Sequence, residues 1–216
     1  MDDFSKKSVL RVSEFLEGST LTALQNEASS LESGAVRSFV PMHKQGGTVS
    51  YERLHQAAPG CVGLYHSTQM AEWIQLIVGI AVQPAADHDQ SACSLLYYTL
   101  EGDYIGWHYD YNFYPGRQFT VLIVLCDEAD GGGPSSCYFV RWHRDSSEEE
   151  VVSLRVNDFV VFEGKMVLHK VTAASRGDRR IVLSMTFNTD TRITLVRELA
   201  RRIKDTAFYG VSVLWD

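Results

Sequence analysis

Beyond Gln90 the chain alternates short runs of β-branched and aromatic residues with clusters of turn residues. The runs are Ser94 to Leu100, Tyr104 to Tyr109, Gln118 to Cys126, Cys137 to Trp142, Val151 to Val156, Phe159 to Glu163, Leu168 to Thr172 and Arg180 to Phe187. Glu101-Gly102-Asp103, Pro115-Gly116, Asp130 to Pro134, Asn157-Asp158 and Arg176-Gly177-Asp178 supply the turns between them. Many short strands in close succession, with little room for helices between them, predict a mainly β fold of the double-sheet jelly-roll type.

The pattern before Gln90 is different. Val9, Val12, Phe15 and Leu16 share one helical face, and Leu21, Leu24, Ala28 and Leu31 share another before Gly34. Met70, Trp73, Ile74, Ile77 and Val78 predict a third helix over His66 to Val82, ended near Pro84, with its Met and aromatic content read as core material. An amphipathic helix is predicted over Ile193 to Lys204. The expected organisation is a single domain over 1–216, with helical support over 1–90, the jelly-roll core over 91–190, and a helix and tail over 191–216.

Composition narrows the function classes. Apolar residues make up 45% and charged residues 22%, a balance that predicts a folded chain rather than a disordered one. With a net charge of −7 and scattered basic residues, a nucleic-acid partner is not expected. No signal-peptide pattern opens the chain, and the apolar stretch Trp73 to Val82 is too short to span a membrane and is broken by Gln75 and Gly79. A cytoplasmic protein without a membrane partner is expected. Cysteines 61, 93, 126 and 137 show no CxxC spacing and are read as buried or half-buried free thiols.

The chemistry-bearing segment is Gly106-Trp107-His108-Tyr109-Asp110. On a strand, alternation turns residues two apart to the same side, so His108 and Asp110 face one way. An iron(II) facial triad needs one further imidazole from a distant strand. His-x-Asp alone is a weak signal. A second cluster strengthens it: His169 ends one predicted strand, and Arg179-Arg180-Ile181-Val182-Leu183 begins the next. An arginine fork suits the far carboxylate of a metal-bound keto-acid. Alternation places the two arginines on opposite faces, so only one can serve.

Over Ser94 to Asn188 the ordered set resembles the 2-oxoglutarate/Fe(II)-dependent dioxygenase superfamily, within it the prolyl 4-hydroxylase-like branch. The resemblance rests on His108-x-Asp110, the distal His169, the arginines with the apolar strand behind them, the pair Tyr97-Tyr98, and Gly116-Arg117-Gln118-Phe119-Thr120-Val121-Leu122. It implies a double-stranded β-helix; Fe(II), the cosubstrate 2-oxoglutarate and O2; His108, Asp110 and His169 as catalytic metal ligands; and Arg180, in preference to Arg179, on the keto-acid. The tyrosine that often holds the same carboxylate is replaced by Val124, which leaves that contact to Tyr98 or Tyr97, or to no residue. Because Asp110 is present, halide transfer is not implied. Hydroxylation is the leading reaction, with desaturation and ring formation open.

Bland readings compete with each of these. His108 and Asp110 could be a core histidine and a turn acid, and Arg180 could pair with Asp178 or Glu163. His43, His55, His66, His88 and His143 are assigned no chemistry. The aromatic residues Trp107, Tyr109, Tyr111, Phe113 and Tyr114 could line a pocket or pack the barrel, and 111–116 could act as a lid. The expected substrate is a small amino-acid-like or natural-product metabolite. Alternatives are a peptidyl-prolyl or other protein hydroxylase, a keto-acid-independent cupin-like metalloenzyme, and a non-catalytic jelly-roll binding module. The oligomeric state is not legible.

Overall fold

A computed structural model describes residue 4 and residues 8–85, 89–143, 147–192, 199–200, 202–203 and 206. Its strands are β1 (Val9–Val12), β2 (Val36–Val40), β3 (Lys44–Val49), β4 (Gln83–Pro84), β5 (Cys93–Tyr98), β6 (Tyr104–His108), β7 (Gln118–Glu128), β8 (Phe139–His143), β9 (Glu148–Val152), β10 (Phe159–Glu163), β11 (His169–Val171) and β12 (Arg179–Asn188). The longer helices are α1 (Gly18–Leu31), α2 (Tyr51–Ala57), α3 (Pro59–Tyr65) and α4 (Thr68–Val78). Seven of the eight strands predicted after Gln90 appear, β10 with the predicted ends; the eighth, Val151 to Val156, shares only residues 151–152 with β9.

Antiparallel pairing gives two walls. One runs β10-β7-β12-β5 and the other β6-β11-β8-β9, with β3 joining them by pairing with both β5 and β6. This is the double-stranded β-helix of the jelly-roll class. The first wall is amphipathic in the sense of burying two different faces. Its outer face carries Phe119, Val121, Ile123, Phe159, Ile181, Leu183, Met185 and Phe187, which form one core with Leu24, Ala28 and Leu31 of α1, Leu54 of α2, Tyr65 of α3 and Ile74 of α4. Its inner face looks into the barrel.

The helices are fixed by local chemistry as well as packing. In α4, Ser67 accepts the Met70 N–H as N-cap, and Gly79 ends the helix at φ 74°, a left-handed conformation that glycine adopts without steric cost. Glu27 of α1 accepts the Gly60 and Cys61 N–H groups at 2.7 and 2.9 Å, placing a carboxylate at the start of α3 where free amides need acceptors.

Two N-terminal features differ from the helical reading. Val9–Val12 is a strand on the edge of β10, with Val9 opposite Phe162 and Val12 opposite Phe159. A run of four residues fits either period, and the open edge of β10 offers hydrogen bonds that decide the matter. The hairpin β2–β3 lies where no strand was predicted. Its second strand, Lys-Gln-Gly-Gly-Thr-Val, lacks the β-branched density that marks a strand. The predicted helix Ile193 to Lys204 and His88 fall wholly or largely outside the described residues.

Candidate metal and cosubstrate site

Between the two walls lies a cavity of about 320 Å³, within the range of small-molecule sites. His108 at the end of β6, Asp110 just after it and His169 at the start of β11 all line it. His108 and His169 are directly paired across the strands. One candidate ligand atom from each of the three residues lies within 4.8 Å of the other two.

The register explains why. Opposite β11, β6 carries an irregularity: His169 faces His108, whereas Val171 faces Ile105 rather than Gly106. The extra residue lets Ile105 and His108 both look inward while Trp107 turns out against Trp142 and beneath Lys170. Gly106 sits at this break because the tip of the β2–β3 hairpin presses on it: a Cβ there would lie 2.7 Å from the Met42 carbonyl oxygen. Gly164 plays the corresponding part for the acid, since a Cβ would come within 2.6 Å of the Asp110 Cβ. Gly106 stood in the chemistry-bearing segment without a role of its own, and Gly164 did not stand out in the sequence as part of the site.

Ring orientation is fixed by backbone carbonyls. His108 Nδ1 lies 2.8 Å from the Gly106 oxygen and His169 Nδ1 lies 3.1 Å from the Val167 oxygen. A carbonyl can only accept, so each Nδ1 carries a proton and each Nε2, the atom that bears the lone pair in the neutral ring, faces inward. The two Nε2 atoms lie 3.4 and 3.8 Å from Asp110 Oδ1. The Thr120 hydroxyl donates to Asp110 Oδ2, orienting the carboxylate from behind. His169 is clasped by Phe139 and Phe162, with ring centroids 5.2 and 4.8 Å away.

Charge follows from this packing. Burial, together with the charge of His108, pulls the His169 pKa down to about 4 against the opposing pull of Asp110, so the ring is neutral near pH 7. Burial would raise Asp110, but the charges of His169 and His108 and hydrogen bonds from His108 and Thr120 outweigh it and hold the acid below the usual carboxylate range. At His108, burial acts downward but is overcome by the hydrogen bond and charge of Asp110 and by the Gly106 carbonyl, and the pKa rises. Two imidazoles with inward-facing Nε2 atoms and an ionised carboxylate on one side of a cavity are the donor set of an open divalent-metal site, with second partners already in place; a metal there would take the place of any proton on His108 Nε2.

Of the paired candidates on β5 and β12, Tyr98 and Arg180 line the cavity, whereas Tyr97 and Arg179 do not. Tyr97 points to the helices, its hydroxyl donating to the Ala28 carbonyl at 2.8 Å. Arg179 pairs with Glu32 at 2.8 Å on the same outer side. Arg180 is buried and donates to Asp127 Oδ1 at 2.8 Å, rather than pairing with Asp178 or Glu163. Asp127 reaches that position through a bulge in β7. Ile181 faces Cys126 and Val182 faces Val124, so Leu125 is extra and the alternation flips, bringing Asp127 onto the face of Arg180. Burial raises the Tyr98 pKa against the lowering charge of Arg180. A neutral phenol therefore stands beside a fixed guanidinium at one end of the cavity.

The aromatic cluster divides. Tyr109 and Tyr111 line the cavity and stay exposed, whereas Phe113 and Tyr114 are buried. The loop that carries them is pinned: Asn112 donates to the Gly116 carbonyl and accepts from Tyr114 N–H, and the Tyr114 hydroxyl donates to Asp89. His43, to which no chemistry was assigned, is on the cavity wall with its ring 5.6 Å from that of His108. His66 instead shares a hydrogen bond with Tyr51.

Comparison with known proteins agrees with this geometry. Residues 93–188 match the family model described as 2OG-Fe(II) oxygenase superfamily. That span contains every strand of both walls, and the match supports an enzyme, an oxidoreductase of the class that uses iron(II), 2-oxoglutarate and O2. No curated protein sequence matches the chain significantly.

Solved structures with the same fold include a Pseudomonas putida prolyl-4-hydroxylase, at TM-score 0.66 and 17% identity over 88% of this chain and 96% of that one. EctD from S. alaskensis, solved with 2-oxoglutarate and 5-hydroxyectoine, aligns at TM-score 0.67 and 12% identity over 88% of this chain and 76% of that one. The α-ketoglutarate-dependent epimerase SnoN of nogalamycin biosynthesis aligns at 0.68 and 14%, over 86% and 77%. Among the described residues no helix is long and apolar enough to cross a membrane.

Proposed function

We propose that this protein oxidises, and most simply hydroxylates, a C–H bond of a small amino-acid-like or natural-product metabolite, with residues 1–216 acting as one oxygenase domain. The observation that carries the reading is the convergence of His108, Asp110 and His169 in one cavity whose other end holds Arg180 and Tyr98. His108, Asp110 and His169 would hold iron(II). When bound there, the metal supplies the redox chemistry that couples decarboxylation of 2-oxoglutarate to oxidation of the substrate.

The chain's own groups do the rest. Arg180, held in place by Asp127, receives the distal carboxylate of 2-oxoglutarate, and Tyr98 stands beside it as a neutral donor. Leu96, Leu122, Val171 and Val182 line the cavity and suit the methylenes of the keto-acid. The Gly106 and Val167 carbonyls keep the imidazoles aimed, and Thr120 keeps Asp110 from rotating. EctD, solved with 5-hydroxyectoine, and SnoN of nogalamycin biosynthesis support the choice of substrate class by analogy of fold alone.

The test is anaerobic titration of the protein with iron(II) and then 2-oxoglutarate. A weak visible charge-transfer band should appear only after the second addition, and admitting O2 should convert 2-oxoglutarate to succinate. Protein that takes up iron but gives neither the band nor succinate would be a keto-acid-independent metalloprotein, and the proposal would be wrong.

A further inference from the structure

The inner face of the first wall changes character along its length. From the Arg180 end, the register places Tyr98 beside Arg180, then Leu96 beside Val182, then Ser94 beside Ser184. Thr186 then lies opposite Thr120, and Asn188 opposite Gln118. Thr120 donates to Asp110, so Thr186 is level with the metal-side acid and Gln118 lies one step beyond it, away from Arg180. From Arg180 to Thr186 the extended strand runs about 20 Å, a longer span than a five-carbon keto-acid fills. The other cation of the cavity wall, Lys44, belongs to the Arg180 side: it faces Ile105 of β6 and donates to Thr48, which is opposite Leu96.

The end away from Arg180 is polar but uncharged, and its polar groups are unspent. Ser94, Ser184, Thr186 and Gln118 line the cavity, and none of these side chains hydrogen-bonds to another described residue. Ser94 and Gln118 are only 3% and 7% exposed, so the space they face is the cavity itself. Gln118 is not tied to its cross-strand neighbour either: Asn188 is fully buried, and neither of its amide atoms has a partner. Polar groups this deep in a fold are ordinarily bonded, and a ligand that displaces cavity water from them must return their hydrogen bonds. The segment Tyr109 to Tyr111 meets the same end, because the Gly164 carbonyl accepts the Asp110 N–H at 3.1 Å while the Gly164 N–H donates to the Gln118 carbonyl at 3.2 Å. Tyr109 and Tyr111 line the cavity yet are 44% and 70% exposed, Tyr111 resting on Phe113 with ring centroids 4.5 Å apart.

We propose that Gln118 is a specificity-determining residue of a neutral subsite for a polyhydroxylated ring, a sugar or cyclitol: its amide, with the hydroxyls of Ser94, Ser184 and Thr186, receives the hydroxyls of a substrate ring whose C–H face lies on Tyr109 or Tyr111. The substrate is then a free sugar-like molecule or the glycosyl part of a natural product, rather than a free amino acid. This rests on the oxygenase reading above and narrows its substrate class. A ring hydroxyl is donor and acceptor at once, and side-chain hydroxyls and a carboxamide offer both roles within a small space. The polarised C–H groups of such a ring are drawn to the negative face of an aromatic side chain. A carboxylate substrate would call for a cation at this end, and the cavity's two cations, Arg180 and Lys44, lie toward the other.

Protein loaded with iron(II) and 2-oxoglutarate is held without O2 while methyl glycosides of the common hexoses, myo-inositol and the free amino acids are added in turn and the charge-transfer band is followed; O2 is then admitted and succinate is measured. At least one glycoside or the inositol should shift the band in a saturable way and accelerate succinate release, and the amino acids should do neither. Gln118→Leu should raise the midpoint for that compound by about 10-fold or more. Its 2-oxoglutarate midpoint should stay within about twofold of wild type, which also reports that the variant is folded. Tyr111→Ala, a change at an exposed side chain, should raise the same compound's midpoint by about 5-fold. If none of the glycosides or the inositol shifts the band, if amino acids shift it instead, or if Gln118→Leu moves the 2-oxoglutarate midpoint rather than that of the ring compound, the subsite is wrongly assigned. Failure of the oxygenase reading shows itself differently, as wild-type protein that gives no band with iron(II) and 2-oxoglutarate before any ring compound is added.

Discussion

The two faces of β5 and β12 carry nearly the same residues to opposite ends. On the inner face Tyr98 and Arg180 are adjacent across the pairing and look into the cavity; on the outer face Tyr97 and Arg179 reach the helices. Their neighbours differ more than they do. Arg180 meets Asp127 with both side chains nearly buried, at 4% and 3% exposure, whereas Arg179 meets Glu32 with both about a third exposed. Chemistry here is decided by the side of the sheet on which a residue falls. The outer pair fastens α1 to the sheet, and the inner pair forms one end of a binding cavity.

The largest expected effect belongs to the inner face. His169→Ala should abolish stoichiometric iron(II) binding, lowering affinity by at least about 100-fold, and iron quantitation after desalting reads it directly. A variant that keeps one iron per chain would remove His169 from the ligand set. Asp110→Ala should likewise weaken iron retention and turnover.

Next in size is the contrast of the arginines. Arg180→Ala should cost about 2–5 kcal/mol of 2-oxoglutarate binding, read by anaerobic titration, whereas Arg179→Ala should leave the midpoint in place. Removing Arg180 also takes the nearest cation from the buried Asp127, leaving it the Ser135 hydroxyl at 2.6 Å and Arg155 at 3.9 Å, so the single variant is expected to lose stability as well. The double change Arg180→Met with Asp127→Asn should recover much of that stability without recovering 2-oxoglutarate affinity. A large loss confined to the Arg179 variant would reverse the assignment.

The tyrosines give a smaller version of the same split. Tyr97→Phe removes a buried hydrogen bond to the Ala28 carbonyl and should cost about 1 kcal/mol in chemical denaturation, with no change in 2-oxoglutarate affinity. Tyr98→Phe should do the opposite, weakening the keto-acid while leaving the α1 contact intact. Equal 2-oxoglutarate shifts in both would mean that the facing of β5 does not decide the role.

How much of this the sequence discloses depends on the kind of constraint. Seven of the eight barrel strands are legible because a period of two, cut by Gly, Asn, Asp and Pro turns, has few other readings. His108, Asp110 and His169 are legible because metal ligation demands particular residue types. Parity shows that only one of Arg179 and Arg180 can enter the cavity, but which one depends on register. Asp127 was hidden for a stronger reason, because a single extra residue at Leu125 inverts the alternation, and bulges leave no compositional mark. The β2–β3 hairpin escaped because His-Lys-Gln-Gly carries no strand signal. Hairpin pairing with β2 and tertiary pairing with β5 and β6 make it one.

The smallest effect expected is the coupling of Arg179 to Glu32, and it tests the outer face by itself. Arg179 donates through Nε and Nη2 to Glu32 Oε2 at 3.0 and 2.8 Å, and through Nη2 to the Ser29 hydroxyl at 3.1 Å, so the geometry is good. Burial acts against the arginine's charge, but the hydrogen bond to Glu32 outweighs it and raises the pKa further. Both side chains remain in contact with water, however, and exposed pairs give back most of their Coulomb energy to solvent screening and to the ordering of two long side chains. A double-mutant cycle with Arg179→Ala and Glu32→Ala, read by denaturant unfolding, should therefore return a coupling of about 0.2–1 kcal/mol. It should shrink further at high ionic strength. None of the cycle's variants should move the 2-oxoglutarate midpoint. A coupling of several kcal/mol, indifferent to salt, would mean that the outer pair is as desolvated as Arg180 and Asp127, and the distinction between the two faces would fail.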